Sequence, residues 1–588
     1  MIRNLTGTIA WASLALVVAC PAFAAEISVP ADHLTIQAAI IAAEDGNVVI
    51  VSPGRYKENI SFLGKAVTVR STDPDDPDVV AGTIIDGDGA DSCVTFENNE
   101  GRDSVLKGFT VTNGDGDYGG GIQCFTSSPS ILANVIIHNR SWQGGGIDCN
   151  SRSPLIEGNA IIENVAGNHG GGISCSTTTA TISGNRIVGN VAGSGAGVVC
   201  TNGSSVITNN VIAGNVANRG SGAGCGILTD GEDVVIAGNV VVDNTRDVGL
   251  GGGIWAGPSL SLIVVANTVC DNDGQGIICD SSLAATICDN TVAGNNDNGV
   301  FVRSRKPVVV GNVVTDNGGS GMELDGRDLI AANNLVAGNR ARLYAGGIHC
   351  NGQSSIIINN TVVGNRSDEG AGGILIVSSS ALVENCIVTG NVSGIGAQVS
   401  AGIYGGGTPA LTIRHSLIEG GQASVQLVGE TILDWGPGNI DDDSRFLDPG
   451  QWDDAGTPGD VTDDTFAVGD YQLLPGSPGI DAGTNDFYAD GYGQWALEPF
   501  LHEDVASLPR IIDGDLDATA TADMGAYEYL PGDVNYDGKA NVLDLLIVRN
   551  SLGKDPSSDP AARRADGNAD GNVDIMDLIA VRNLISAW

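Results

Sequence analysis

Two stretches near the C-terminus carry the strongest chemical signal, "DVNYDGKANVLD" (533–544) and "DGNADGNVDIMD" (566–577). Each puts oxygen-bearing side chains at positions 1, 3, 5, 9 and 12 of a loop and a glycine at position 6. In the first copy these are Asp533, Asn535, Asp537, Asn541 and Asp544. In the second they are Asp566, Asn568, Asp570, Asp574 and Asp577. Hard Ca2+ takes about six to eight oxygens, and a loop of this length adds a backbone carbonyl from position 7. Lys539 and Asn572 stand there, and Gly538 and Gly571 allow the sharp turn. Two loops matching throughout predict two bound Ca2+ ions.

Each loop runs into a helix with one apolar face, Leu545, Val548 and Leu552 or Leu578, Val581 and Ile585. Loop–helix twice, with no entering helix and with Asp at position 12, resembles a type I dockerin. The resemblance implies calcium-dependent folding and a partner, the cohesin domain of a scaffold protein. The family's recognition positions fall here on Val542, Leu543, Arg549 and Asn550, and again on Ile575, Met576, Arg582 and Asn583. Their pairing implies two binding orientations. Their apolar and basic character leaves the cohesin class open.

Most of the chain is a repeat. "GGGIQC" (119–124) returns as "GGGIDC" (144–149) and "GGGISC" (170–175). Its last Gly recurs from Gly121, Gly146 and Gly172 on to Gly373 and Gly402, about 25 residues apart. A second phrase, N-x-x-x-x-N, precedes each, as in "NVIIHN" (134–139) and "NTVVGN" (360–365); "NCIVTGN" (385–391) is one residue longer. Short alternating runs separated by Gly and Asn read as strands and turns, and one such unit cannot bury its own face. Stacked units can. The fold class is therefore all-β, a right-handed parallel β-helix of about 13 coils, with a small all-α module at the C-terminus. At roughly 4.8 Å per coil the solenoid is roughly 60 Å long.

Within each phrase Ile122 and Cys124 point inward and Gln123 outward. Cys124, Cys149, Cys175 and Cys200 then form an inward column that later coils fill with Thr229, Ala256, Val302, Leu324 and Ile376. Such interchange suits an apolar slot and not a metal site. The Asn columns are read as structural ladders. The Gly run enters a strand rather than a helix N-terminus, so it is no phosphate cradle.

The boundaries follow from these patterns. Residues 1–24 resemble a signal peptide, with "VVAC" ending at Cys20 as the alternative lipoprotein reading. Residues 25–420 form the β-helix, 421–530 its terminal coils and tail, and 531–588 the calcium module. "TIQAAIIAA" (35–43) reads as a helix that covers the open solenoid end, as in secreted polysaccharide lyase, pectinesterase and NosD-like β-helices, which it resembles. "DWGPGNIDDDSRFLDP" (434–449) and "DGDLDATATADMGAYEY" (513–529) resemble a choice-of-anchor region. The Asp-rich stretch 441–464 is either a Ca2+ site or a solvated loop. With 70 Asp and Glu against 28 Lys and Arg, the net charge of -42 excludes nucleic acid as a partner. No later segment is long and apolar enough for a transmembrane helix, so the expected location is secreted or extracellular.

A possible active patch lies on outward positions of the strand after each "GGI". They read Gln123, Asp148, Ser174, Val199, Leu228, Trp255, Ile278, Phe301, Glu323, His349, Leu375 and Tyr404, and two residues further on come Asp280, Arg303, Asp325 and Asn351. Sugars stack on aromatic faces and hydrogen-bond to polar groups, so Trp255, Phe301 and His349 are candidate substrate contacts. Glu323, Asp325, Asp280 and Arg303 are candidate catalytic groups. Glu323 and Asp325 stand roughly 7 Å apart on one face, near the spacing of an inverting carboxylate pair. The competing reading is an Asp–Arg–Asp ion stack, with residues 421–530 covering the apolar positions. "RSRKP" (303–307) is either a contact for an acidic sugar or a solvated turn. The functional expectation is a polysaccharide-binding or polysaccharide-degrading protein, a glycoside hydrolase or lyase if an enzyme. The alternative is a non-catalytic surface scaffold.

Overall fold

Each coil is built from backbone constraints that the repeat phrases satisfy in turn. In the coil that starts at Ile147, a strand (Ile147–Arg152) is followed by Leu155–Glu157 on the same sheet. Gly158, with φ +66°, turns the chain into Ala160–Ile162, and Glu163, with φ +51°, turns it again into Val165–Ala166. Gly, Asn and Asp dominate these corners because they enter left-handed backbone at low cost. The computed structural model describes residues 24–218, 224–247, 251–402, 409–456, 464–486, 502–557 and 559–587. The expected signal segment and Cys20 lie outside them, as does Tyr404.

Coils stack in strict parallel register. Ile122 pairs with Ile147, which pairs with Ile173, and Cys124, Cys149, Cys175 and Cys200 follow one another in the same ladder. All four thiols are buried and free, and the neighbouring thiol of the preceding coil, then burial, pushes Cys149 and Cys175 well above the ordinary thiol range. Gly146 shows why the phrase needs glycine. A Cβ there would lie 2.7 Å from the Gly172 carbonyl oxygen and 2.9 Å from Ile161 Cγ2.

At the corners, the Asn134 amide donates to Asn159 Oδ1 at 3.1 Å, and the Asn159 amide to Asn185 Oδ1 at 3.0 Å. A second ladder runs from Asn139 through Asn164, Asn190 and Asn215. Each buried amide also donates to a core carbonyl, as Asn159 does to Ile131 at 2.8 Å. These buried polar columns are thus paired, each bond contributing about 1 kcal/mol net.

One face is a 15-stranded parallel sheet, so the solenoid has about 15 turns and not about 13, and is roughly 70 Å long. The added turns are the early strands Gly54–Lys57 and Thr83–Asp86, which precede the recognisable repeat. Two details of phrase alignment also change. Ile374 pairs with Val399, so Gln398 and not Gly402 stands in the glycine column, and Ser400 takes the outward position assigned to Tyr404. "NCIVTGN" has no insertion. Asn385 is the turn residue, with φ +51°, and Cys386 replaces the ladder Asn.

The N-terminal helix Ile36–Ala42 buries Ile36, Ala39 and Ile40 in the solenoid core. Glu58 accepts the backbone N–H groups of Ile36 and Gln37, both at 2.9 Å, and Lys65 donates to the carbonyls of Ile40, Ile41 and Ala43. Each charge sits at the helix end whose partial charge it opposes.

Ile432–Trp435 and then Ile440, which bridges Leu417 in parallel, stack on the last coil; beyond them the chain leaves the solenoid and folds back on its flank. Two antiparallel pairs form, Phe446–Asp448 with Asp470–Leu473 and Gln451–Asp453 with Thr465–Ala467. Phe446, Phe466, Tyr471, Leu473 and Met524 pack on Leu335, Ala337, Val363, Ile387 and Leu417 of the 15-stranded face. Asp464 pairs with Arg366, whose guanidinium lies 4.0 Å over the Trp452 ring.

Candidate functional site

The two acidic loops fold as near copies. Asp533 carboxylate oxygens accept the N–H groups of Asp537 and Gly538 at 3.1 and 2.7 Å, and Asp566 accepts those of Asp570 and Gly571 at 3.1 and 2.9 Å. Asp544 accepts from Val534, Asn535 and Asn541, and Asp577 from Asn568 and Asp574. Asn541 and Asp574 accept from Leu543 and Met576, starting the helices Val542–Ser551 and Ile575–Ala587. Gly538 and Gly571 have φ +79° and +85°, as the sharp turn requires.

The donor set is all oxygen, which fits Ca2+. Burial, then the nearby Asp544 and Asp537 carboxylates, raise the Asp533 carboxyl above its usual range, a repulsion that a bound cation relieves. Asp533, Asn535, Asp537, Asn541, Asp544 and the Lys539 carbonyl would hold one ion. Asp566, Asn568, Asp570, Asp574, Asp577 and the Asn572 carbonyl would hold another.

The loops close over a small core of Val534, Val548, Ala562, Ala565, Val573 and Val581. A short helix, Pro560–Ala565, enters the second loop, contrary to the expectation of no entering helix. Pro560 starts it and Asp559 caps it by accepting from Ala561 and Ala562. Val542, Leu543, Ile575 and Met576 are 52–62% exposed, too apolar to face water without a partner in view. Arg549, Asn550, Arg582 and Asn583 are exposed beside them.

On the solenoid, the structure sets the patch residues in two adjoining columns. Trp255, Ile278, Phe301, Glu323 and His349 follow one another coil by coil, and Asp280, Arg303, Asp325 and Asn351 do the same. Arg303 lies between two carboxylates, 3.3 Å from Asp280 and 3.5 Å from Asp325, with its guanidinium 5.2 Å over the Phe301 ring. Glu323 accepts a hydrogen bond from Asn298 at 2.7 Å. Its carboxyl is raised chiefly by burial, and further by Asp325.

His349 is not an open substrate contact. It is 6% exposed, its Nδ1 is 4.0 Å from Glu323, and its ring stacks on Tyr344 at 4.5 Å. Burial lowers it to about 4, so it is neutral at pH 7. Asn298 and Tyr344 were missed because they come from the loops before the strands, where the two-residue alternation gives no guide.

Of the apolar outward positions, Val199, Leu228 and Ile278 are buried, and Trp255 and Phe301 are half-buried. Glycines of the preceding loops pack against part of this column. A Cβ on Gly195 would lie 2.1 Å from Val199 Cγ2, and Gly224 approaches Leu228 and Trp255. "RSRKP" lies inside one continuous strand, Val300–Val310, and is not a turn. In the described part of 441–464, Asp442 and Asp443 bond neighbouring backbone and Asp464 pairs with Arg366. A separate carboxylate group was not foreseen: Asp481, Asp513 and Asp515 bring oxygens within 4.8 Å of one another.

A calcium-loop module joined to a parallel solenoid defines the class, a β-helix protein with a docking domain. Residues 80–241, 171–341 and 275–433 match the right handed beta helix region family, together more than half of the 588-residue chain. The chain belongs to that family. Residues 531–586 match the dockerin type I domain. Such domains bind calcium and imply a cohesin partner, and proteins bearing them are typically extracellular. No curated protein matches the chain. Among solved structures, the A-module of the Azotobacter vinelandii mannuronan C-5 epimerase AlgE6 is similar at 14% identity. It covers 69% of this chain and 95% of its own with a TM-score of 0.31, too loose a fit to carry an argument. Among the described residues no helix is long and apolar enough to cross a membrane.

Proposed function

We propose that this is a secreted, polysaccharide-directed β-helix brought to its substrate by calcium-dependent docking on a cohesin-bearing scaffold. The observation that carries the reading is one chain that joins two formed dockerin loops to a solenoid flank with aromatic, acidic and basic side chains on neighbouring rungs. In this reading residues 1–24 direct export, with lipidation at Cys20 as the alternative. Residues 25–420 are the substrate-bearing solenoid, 421–530 the choice-of-anchor-like tail and 531–588 the dockerin, holding two Ca2+ ions. Val542, Leu543, Arg549, Asn550 and their counterparts Ile575, Met576, Arg582, Asn583 contact the cohesin in two orientations.

Glu323 serves as proton donor, because burial favours its neutral form. Asp325, on the same face, is the second acidic group, and Arg303 orients Asp325 and Asp280. Trp255 and Phe301 offer ring faces to sugars, and His349 flanks Glu323 in the next coil. A glycan panel incubated with the calcium-loaded protein tests this, with product chromatography and ultraviolet absorbance for unsaturated ends. Product that disappears in Glu323→Gln and Asp325→Asn supports catalysis here. Product unchanged in both removes these residues from the chemistry.

A second reading, a non-catalytic scaffold, draws on two contacts. Arg303 already neutralises Asp280 and Asp325, and Tyr344 covers His349. Glycan retention without product in the same panel supports it.

A further inference from the structure

One groove beside this patch is basic in a strongly acidic protein. Its register follows from the strands Val300–Val310 and Met322–Ala332, which pair Arg303 with Asp325 and Val308 with Ile330. The equal spacing sets Arg305 opposite Arg327. In the next coil, Gly326 pairs with Gly352 and Asp328 with Ser354, which sets Arg327 opposite Gln353. Neighbouring strands are roughly 4.8 Å apart, and like charges directly opposite destabilise a pair.

The other cations of this segment are matched. Arg303 has Asp280 and Asp325, and Lys306 is 4.0 Å from Asp328. Arg305 and Arg327 are exposed and have no ion-pair or hydrogen-bond partner among the described residues. The chain has 70 acidic residues to 28 basic ones, so two adjoining unmatched arginines are not an accident of supply.

They flank a depression of about 550 Å³ that Asp325, Asn351 and Gln353 also line. Gly326 and Gly352 are tightly packed beneath it: a Cβ on Gly326 would lie 2.5 Å from Pro307 Cδ, and one on Gly352 would lie 2.3 Å from the Gly326 carbonyl oxygen. Asn351 and Gln353 bring amides to the same depression, which can hydrogen-bond sugar hydroxyls.

We infer that this groove holds the acidic substituent of a glycan, a carboxylate or a sulfate, between Arg305 and Arg327. Guanidinium forks match both groups in bidentate geometry. The net charge of -42 works against polyanions in general, so recognition of an acidic substituent must come locally from the two arginines. The inference rests on the polysaccharide reading above and names its substrate class.

The test titrates the full-length, calcium-loaded protein with polygalacturonate, dextran sulfate, neutral dextran and neutral xylan. An Arg305→Gln/Arg327→Gln variant is titrated in parallel, with circular dichroism confirming its fold. The expected result is an acidic glycan bound roughly tenfold or more tighter than the neutral ones, weakening with salt. The variant loses that preference while neutral binding stays. Polygalacturonate against dextran sulfate separates carboxylate from sulfate. Equal acidic-glycan affinity in wild type and variant overturns the inference. Binding of neutral glycans alone also overturns it and leaves the polysaccharide reading standing. No binding to any glycan overturns both.

Discussion

Gly338 and Gly214 hold the same place in the repeat, in "NLVAGN" (334–339) and "NVIAGN" (210–215). Both have left-handed backbone, with φ +65° and +59°. Alanine costs about 1–2 kcal/mol at either site from that backbone alone. They differ in what a Cβ meets. Around Gly214 nothing lies within 4 Å, whereas at Gly338 the Cβ would lie 2.0 Å from Phe466 Cδ1. Phe466 is 6% exposed and anchors the tail on the solenoid flank. Forcing it aside is overpacking, which costs about 1–3 kcal/mol. Gly338→Ala should therefore exceed Gly214→Ala by about 1–3 kcal/mol, with the excess confined to the tail. Native-state hydrogen exchange reads this locally. Amides of Phe446–Asp448 and Thr465–Ala467 should exchange roughly 5- to 150-fold faster in Gly338→Ala than in Gly214→Ala. In a Phe466→Ala background the excess should vanish, closing a double-mutant cycle. Equal exchange in the two glycine variants refutes the socket. So does an excess that survives removal of the ring.

Two buried groups predict opposite pH limbs. Burial holds His349 at about 4, below an unfolded value of about 6.5. Its contribution to stability is therefore full above about pH 6.5 and is lost as pH falls through about 4. Burial raises Asp148 to about 7, above an unfolded value of about 3.9. Its contribution is full below about pH 3.9 and is lost as pH rises through about 7. Calorimetric Tm against pH should show a flatter acid limb in His349→Gln and a flatter neutral limb in Asp148→Asn; unchanged slopes count against both. For the dockerin, Asp544→Ala removes a proposed calcium ligand and the acceptor of three backbone N–H groups. It should abolish the calcium-induced change in circular dichroism of the first loop and weaken cohesin capture, as deletion of 532–588 should abolish it. Val542→Asp or Ile575→Asp alone should leave capture through the other helix, and only the pair should remove it.

What could be read from the sequence depended on whether a side chain answers to its own coil or to a distant segment. The column Ile122, Ile147, Ile173 and the Cys column beside it were legible because parallel stacking sets the same residue over itself every coil. The docking module was legible because each acidic loop carries its whole pattern in one short stretch. The register near Gln398 was not, because Gly402 mimics the glycine column although the chain has already made its turn. Nor was the burial of His349. Alternation correctly marks it as outward, but Tyr344 arrives from a loop whose path no periodicity sets. The strand Val300–Val310 was misjudged in the same way. Charges and Pro307 suggest a turn, and stacking between two extended coils overrides that local preference.

The tail shows the same rule at larger scale and explains why it scans as a decayed repeat. Its strands serve two surfaces at once. One side places Phe466 against Gly338 and Gly364 and gives the Trp452 indole N–H to the Gly364 carbonyl at 2.7 Å. The other receives the dockerin. Arg563 donates to the Leu447 carbonyl at 2.8 Å, Arg564 pairs with Asp470 at 3.2 Å, and Tyr536 donates to the Leu473 carbonyl. The tail's strands are only three or four residues long, too short for in–out alternation to stand out in the sequence. Val542, Leu543, Ile575 and Met576, the residues proposed to meet the cohesin, are absent from these contacts and remain exposed. The tail can thus hold the docking module against the solenoid while leaving both of its recognition helices open to a partner.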